Sequence, residues 1–193
     1  MTPADTGGAA ADVGPGLVAP GLVAEPGGLL TGLPPVVSPQ TRLLLLGSFP
    51  SVASLAAQQY YGHPRNQFWA LLAALWGLDL RSMPYPQRLD LVRQRGLGIW
   101  DIYARCRRPG SLDAAIIEAE PNPLAALVTT LPALAAIAHN GGEAARAMKL
   151  TAALGLPVYR LPSTSPANAS WSFERKREAW AAVFAAHGMM APL

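Results

Sequence analysis

Two polar segments of this chain carry side chains that could hold a flat, neutral ring beside a phosphate group. One runs over residues 47–69 and contains the strings GSFPS and YYGHPRNQFW, and the other, LPSTSPAN, covers residues 161–168. Both segments are rich in Ser, Asn, Gly, Pro and aromatic residues and poor in charge. Hydroxyl and amide groups hydrogen-bond neutral heterocycles, and aromatic rings stack on them. The composition therefore favours a binding site for a planar polar ligand attached to a phosphate backbone.

The elements that must position these segments are short apolar strands that alternate with helices. Apolar runs predict strands at residues 43–46, 97–102, 134–138 and 158–161. Apolar spacing and helix-start signals predict helices at residues 66–76, 86–94, from 122–123 onward, 143–154 and 172–187. This alternation predicts an α/β three-layer sandwich with a central four-stranded parallel sheet. Loops at the carboxyl ends of parallel strands form the usual ligand crevice, so both polar segments are expected at one site.

The last predicted helix has one apolar face and one charged face. We expect its inner face to carry Phe173, Trp180, Val183 and Phe184. We expect its outer face, which is exposed to solvent, to carry Arg175, Lys176 and Glu178.

Length and composition limit the class of protein. At 193 residues and 20.3 kDa the chain is expected to form one domain. We assign this domain to residues 29–193 and interpret residues 1–28, which are rich in Gly, Ala and Pro, as a disordered tail. No apolar run approaches the ~20 residues of a membrane span, and the N-terminus lacks a secretory signal pattern. We therefore expect a cytoplasmic protein.

The chain is basic, with a net charge of +3 and a pI near 9.4. Its positive residues concentrate in three clusters: Arg88, Arg93 and Arg95; Arg105, Arg107 and Arg108; Arg175, Lys176 and Arg177. Cations of this kind neutralise the phosphates of DNA, but a solvated rim of arginines has the same composition. Charge alone leaves both interpretations open.

Several other chemistries find no support in the sequence. It contains neither a Gly-x-x-x-x-Gly-Lys phosphate loop nor a Gly-x-Gly-x-x-Gly fingerprint, which argues against nucleotide hydrolysis and dinucleotide binding. The lone Cys106 cannot form an intrachain disulfide, and the three histidines are too scattered for a convincing metal site. No serine lies in a Gly-x-Ser-x-Gly elbow. We therefore expect neither a metal nor a cofactor.

The strings GSFPS, HPRNQFW and LPSTSPAN resemble the motifs of the uracil-DNA glycosylase superfamily. The branch they resemble most is that of the hypoxanthine-DNA (deoxyinosine) glycosylases, and the similarity spans roughly residues 30–187. The resemblance implies a monofunctional DNA repair enzyme that flips out a deaminated base, chiefly hypoxanthine, and cuts its N-glycosidic bond to leave an abasic site. It also implies a monomer that acts on DNA containing deaminated bases, without a metal, a cofactor or a membrane.

The resemblance also implies roles for individual residues. Asn66 would orient the attacking water, and Asn140, at the end of the third predicted strand, would read the O6/N1 edge of the base. Phe68 would stack on the base, although core packing at the start of a helix is the alternative. The other residues of the expected base pocket are Gly47, Ser48, Phe49 and Tyr61. The expected DNA-binding residues are Ser163, Thr164, Ser165, Ala167 and Asn168.

Two positions depart from the pattern of related branches. Those branches carry Asp or Asn before the proline of the first motif, where this chain has Phe49, which cannot orient water. Asp101 is a second candidate for stabilising the sugar cation, but we expect it to cap a backbone group or pair with Arg105. Related enzymes also insert a Leu-sized wedge into the base stack, where this chain has Ala167 and Asn168. A small wedge predicts a preference for bases that already pair poorly.

Two alternative functions remain open from the sequence. One is a glycosylase specific for uracil or for mismatches, which has the same motifs. The other is a catalytically silent DNA-binding module of the same fold, and Phe49 in the first motif is the reason to consider it.

Overall fold

The computed structural model describes residues 28–190, which form two β-sheets and their flanking helices. The predicted disordered tail, residues 1–28, lies outside the described residues except for its last position. In chain order the elements are β1 (Leu29–Thr31), β2 (Leu43–Gly47), α1 (Val52–Ala57), α2 (Phe68–Trp76), α3 (Tyr85–Gln94), β3 (Leu97–Asp101), β4 (Tyr103–Arg107), β5 (Ile117–Pro121), α4 (Leu124–Thr129), β6 (Ala136–Asn140), α5 (Gly142–Ala145), α6 (Met148–Ala152), β7 (Val158–Leu161) and α7 (Phe173–Ala186). Among the helices of this described part, none is both long enough and apolar enough to cross a membrane.

The central sheet has the predicted four parallel strands, in the order β3-β2-β6-β7. In the register of these strands, Gly47 lies opposite Asp101, and Asn140 lies opposite Leu161. All four strands therefore end at one edge of the sheet, where the site was expected. The third strand begins at Ala136 rather than at residue 134, because its ladder with β2 pairs Leu43 with Ala136.

The core is built on the middle of this sheet. All four leucines of β2, Leu43–Leu46, are fully buried, as expected for a strand covered on both faces. Trp76 of α2 and Trp180 and Phe184 of α7 are also buried in the core, and these two helices contact each other. Burial of each large apolar side chain contributes about 1.5–3 kcal/mol, so this packing holds the strand ends firmly in place.

A second sheet, which the sequence analysis did not predict, is antiparallel and has the order β1-β4-β5. β1 has only three residues, β4 and β5 are short and mostly polar, and β5 is exposed along its whole length, so none of them has the length and pattern of a predictable strand. Two ion pairs cross it, Arg105 with Glu120 at 2.6 Å and Arg107 with Glu118 at 2.8 Å.

The helix expected over residues 143–154 is divided into α5 and α6. Nδ1 of the buried His139 donates to the carbonyl of Ala144 at 2.8 Å. This bond competes with the backbone hydrogen bonds that a continuous helix would need.

The prediction that Lys176 faces solvent is wrong. Its side chain is buried, with 2% exposure, and its ammonium group donates to Gln67 Oε1 at 2.8 Å and to the carbonyl of Asn168 at 3.0 Å. The backbone N–H of Gln67 in turn donates to the carbonyl of Thr164. Burial lowers the pKa of Lys176. Lys176 therefore joins α7, the start of α2 and the loop after β7.

We expect Lys176→Met to destabilise the protein by about 1–3 kcal/mol, because the buried oxygens of Gln67 and Asn168 lose their donor. Urea unfolding measures this change. Arg177→Met, at an exposed position on the same helix, is the matched control and should stay within about 0.5 kcal/mol of the wild type. Equal stability of the two variants would contradict the role of Lys176.

Candidate active site

The carboxyl ends of the parallel strands open onto a cleft of about 670 Å³. Both polar segments identified in the sequence contribute to its walls, together with the loop after β6 and the segment before β5. The site residues that line it are Gly47, Ser48, Phe49, Tyr61, Asn66, Asn140, Ser163, Thr164, Ser165, Ala167 and Asn168. The fold thus brings together residues that lie about a hundred positions apart in the chain.

Phe68 differs from its expected place, because it is fully buried and does not line the cleft. Tyr61 covers it, with the two rings stacked at a centroid distance of 3.9 Å. The alternative of core packing at the start of a helix therefore describes Phe68, and Tyr61 presents the aromatic surface to the cleft. Tyr61 has a φ of +55°, a conformation that a bulky residue adopts rarely and that is often found at functional sites.

Asn140 holds the two sides of the cleft together. Its Oδ1 accepts a hydrogen bond from the backbone N–H of Thr164 at 3.0 Å. Its Nδ2 donates to Thr164 Oγ1 at 3.0 Å and to the Tyr61 hydroxyl at 3.2 Å. Both amide protons are therefore in use, and a ligand can reach Asn140 through the second lone pair of Oδ1. Thr164 is fully buried in this arrangement.

Asn66 stands beside Tyr61 at the start of α2, half-buried and on the cleft wall. Its Oδ1 accepts from the backbone N–H of Phe68 at 2.9 Å, which fixes the orientation of the amide. Its Nδ2 makes no hydrogen bond to any residue between 28 and 190 and is available to a ligand. His63, three positions earlier, lines a smaller cavity of about 290 Å³ on the other side of Tyr61 and Asn66.

The turn after β2 is held by Arg108 and Asp113, which the sequence analysis did not single out. The guanidinium group of Arg108 is buried, donates through Nη2 to the carbonyl of Pro50, and lies 5.2 Å from the centre of the Phe49 ring. Its Nη1 is 3.8 Å from Asp113 Oδ1, which also accepts from the Ser48 hydroxyl at 2.8 Å. Sequence pattern could not separate Arg108 from the neighbouring arginines of its cluster.

Asp101 lines the cleft. The expected pairing of Asp101 with Arg105 is not formed, because Arg105 pairs with Glu120. A Cβ atom on Gly47 would lie 2.4 Å from Asp101 Oδ1, so a side chain at position 47 would displace this carboxyl group. Asp101 is 4% exposed, and its Oδ2 has no hydrogen-bond partner in the described part of the chain. Burial, and to a lesser extent the charge of Asp113, raise the pKa of Asp101 to about 7, while Arg108 opposes this change.

The loop after β7 forms the rim of the cleft. The Ser163 hydroxyl accepts from the N–H of Ser165 at 3.2 Å, and Asn168 Nδ2 donates to the carbonyl of Ser163 at 3.0 Å. Gly141, with a φ of +104°, lies so close that a Cβ atom there would be 2.8 Å from Ser163 Cβ. Ala167 stands at the exposed tip of this loop.

Trp171, which the sequence analysis did not identify, also lines the cleft, at 36% exposure with the Arg175 guanidinium 4.5 Å from its ring centre. Arg160 places a cation on the cleft wall. The signal for Trp171 was an aromatic residue within a polar loop. Three other members of the basic clusters are engaged within the protein: Arg105 and Arg107 form ion pairs, and Lys176 is buried.

Within residues 28–190 no group of three or more His, Cys, Asp or Glu side chains is arranged to hold a metal ion.

The fold and its cleft have counterparts in known proteins. A family model described as the uracil DNA glycosylase superfamily matches residues 34–184. Two proteins named hypoxanthine DNA glycosylase, from Methanosarcina barkeri and Methanosarcina acetivorans, are 35% and 38% identical to the chain over 153 residues, which is 79% of this chain and 96% of each relative. A solution NMR structure of a Methanosarcina acetivorans protein described as a candidate uracil DNA glycosylase superimposes with a TM-score of 0.75 and 36% identity, covering 83% of this chain and 99% of that one.

We expect Asp101→Asn to stabilise the folded protein at about pH 8 by up to about 4 kcal/mol, because the folded-state pKa is about 7 against an ordinary 3.8. The folded state binds this proton more tightly than the unfolded chain does. The bound proton therefore stabilises the wild-type protein fully below about pH 4, and this stabilisation of the wild type is lost as the pH rises to about 7. The advantage of the variant appears over the same range. Urea unfolding of both proteins at about pH 4 and pH 8 measures the effect. A stability difference between them that is independent of pH would contradict the raised pKa.

Proposed function

The chain belongs to the uracil DNA glycosylase superfamily, and from that premise we propose that it is a monofunctional DNA glycosylase that excises hypoxanthine. The observation that carries this proposal is a cleft at the carboxyl edge of the sheet with an aromatic face and amide groups aimed into it. Similarity to two hypoxanthine DNA glycosylases along 96% of their length supports the choice of base. The proposed partner is DNA that contains deaminated bases, and we propose that the protein acts as a monomer without a metal or a cofactor.

In the proposed reaction, a flipped nucleotide places its base against Tyr61, whose ring is supported from behind by Phe68. The N1–H of hypoxanthine donates to the free lone pair of Asn140 Oδ1, because the other polar atoms of that amide are already bonded. Asn66, whose Oδ1 is fixed by the Phe68 N–H, positions the attacking water. The bond between C1′ and the base breaks, the base leaves with the electron pair, and the water oxygen bonds to C1′.

The rim is proposed to hold the DNA backbone. Ser163, Ser165 and Asn168 offer hydroxyl and amide groups that contact phosphates without regard to sequence. Thr164 contributes through its backbone and its bond to Asn140, since its side chain is buried. Ala167 at the loop tip is too small to push a base out of the stack. The enzyme is therefore proposed to prefer hypoxanthine opposite T or in single strands, where extrusion costs least.

We expect the wild-type protein to release hypoxanthine faster than uracil or xanthine from oligonucleotides that carry one such base. A single-turnover assay with alkali cleavage of the abasic product measures the three rates. Excision of uracil without excision of hypoxanthine would favour the uracil-specific alternative. Salt-sensitive DNA binding without any abasic product would favour the silent binding module.

We expect Asn66→Ala to lower the single-turnover rate by about a hundredfold or more, because the water loses the group that orients it. DNA affinity, measured by fluorescence anisotropy, should change little. His63→Ala is the matched control in the same loop, because the imidazole lines the neighbouring cavity rather than the cleft. A nearly normal rate for Asn66→Ala would remove this residue from the mechanism.

A further inference from the structure

Asp101 combines deep burial with an unused capacity for hydrogen bonding. It lines the cleft although it is only 4% exposed, and its Oδ2 is bonded to no residue in the range 28–190. A buried carboxyl group without a partner costs free energy, and such groups in native proteins call for an explanation. The nearby arginines do not pair with it, since Arg105 pairs with Glu120, and Arg108 bonds the carbonyl of Pro50 and lies nearest to Asp113.

The groups that face Asp101 compensate its charge only in part. Tyr60 and Tyr61 approach from the loop before α2, but the Tyr60 hydroxyl donates to the carbonyls of Leu33 and Pro34, and the Tyr61 hydroxyl accepts from Asn140. Asp113 and Arg108 approach from the segments after β4, and their opposite charges act on Asp101 in opposite directions. Burial is the largest influence and raises the pKa of Asp101 to about 7. A carboxyl group with this pKa can gain and lose a proton near neutral pH, as a catalytic base must.

The proposed reaction has two requirements that no residue assigned so far meets. The sugar gains positive charge as the glycosidic bond breaks, and the attacking water must lose a proton. The amide of Asn66 can orient water but cannot accept a proton, and Phe49 in the first motif can do neither. Asp113, the other carboxyl group among the residues that line the cleft, holds the turn after β2 through the Ser48 hydroxyl and lies beside Arg108.

We propose that Asp101 is a catalytic residue of this cleft, which stabilises the cationic deoxyribose and accepts a proton from the attacking water. This inference rests on the proposed function. In the step, the electron pair of the C1′–N bond goes to the departing base, and the water oxygen bonds to C1′. One water proton passes to the Asp101 carboxylate. That proton then goes to the anionic base, by way of solvent, which restores the carboxylate.

The first test measures binding rather than turnover. Duplexes contain either a pyrrolidine abasic-site analogue, with a cationic ring nitrogen at the anomeric position, or a neutral tetrahydrofuran analogue. At about pH 8 the wild-type protein should bind the pyrrolidine duplex at least about tenfold more tightly, the ratio of affinities given by about 1.4 kcal/mol. Asp101→Asn should reduce the ratio to about threefold or less. Asp113→Asn, which removes the other cleft carboxylate, is the matched control and should retain the larger ratio.

The second test follows the single-turnover excision rate with pH. The wild-type rate should fall as the pH drops below about 7, because protonation of Asp101 removes the base. Asp101→Asn should be at least about a hundredfold slower than the wild type at pH 8, and its rate should not show this fall. Thermal unfolding checks that the variant is folded, which is expected because an amide replaces a buried, unpartnered carboxylate.

The outcomes separate this inference from the proposed function. An Asp101→Asn variant that excises hypoxanthine at the wild-type rate, or that keeps the preference for the cationic analogue, would overturn the role of Asp101 and leave the proposed function intact. A wild-type protein that prefers the cationic analogue through Asp101, but does not release hypoxanthine, would support the role and overturn the choice of base. A wild-type protein without any preference between the analogues would overturn the role directly.

Discussion

The parallel pairing of β2 with β3 and β6 is the constraint on which the rest of the structure depends. Its register places Gly47 opposite Asp101 and brings Asn140 to the same edge of the sheet. A slip of one residue would turn every side chain of a strand to the other face. The run Leu43–Leu46 would stay apolar after such a slip, so close fits at single positions favour this register: Gly47 lies against the Asp101 carboxyl group and Gly98 lies against Leu44.

A chain of polar contacts carries this order outward from the sheet to the rim. Asn140 bonds Thr164, the carbonyl of Thr164 accepts from Gln67, and the buried Lys176 donates to Gln67. Every link joins segments that are distant in sequence. The loop that is proposed to hold DNA is therefore positioned by side chains rather than by a regular element, and the cleft retains costly features, among them the unpartnered Asp101. Functional sites often keep such features at the expense of stability.

The main sheet could be predicted from the sequence because its strands are short apolar runs between turn signals. The small sheet could not, since β1 has only three residues, and β4 and β5 are mostly polar and joined by ion pairs such as that of Arg105 with Glu120. Lys176 was placed on the wrong face for a similar reason. Helical spacing cannot show that folding places Gln67 Oε1 and the carbonyl of Asn168 within hydrogen-bond distance of its ammonium group.

For the site, local residue types by themselves determined that two polar segments follow strands and meet at one edge, and the motifs in them determined the family resemblance. The tertiary structure decided what each side chain does there. It turned Tyr61 rather than Phe68 toward the cleft, used the amide of Asn140 as a bridge, and left Asp101 without a partner. The physical reason is that orientation, desolvation and hydrogen-bond occupancy arise from neighbours brought together by folding, which a linear pattern does not contain.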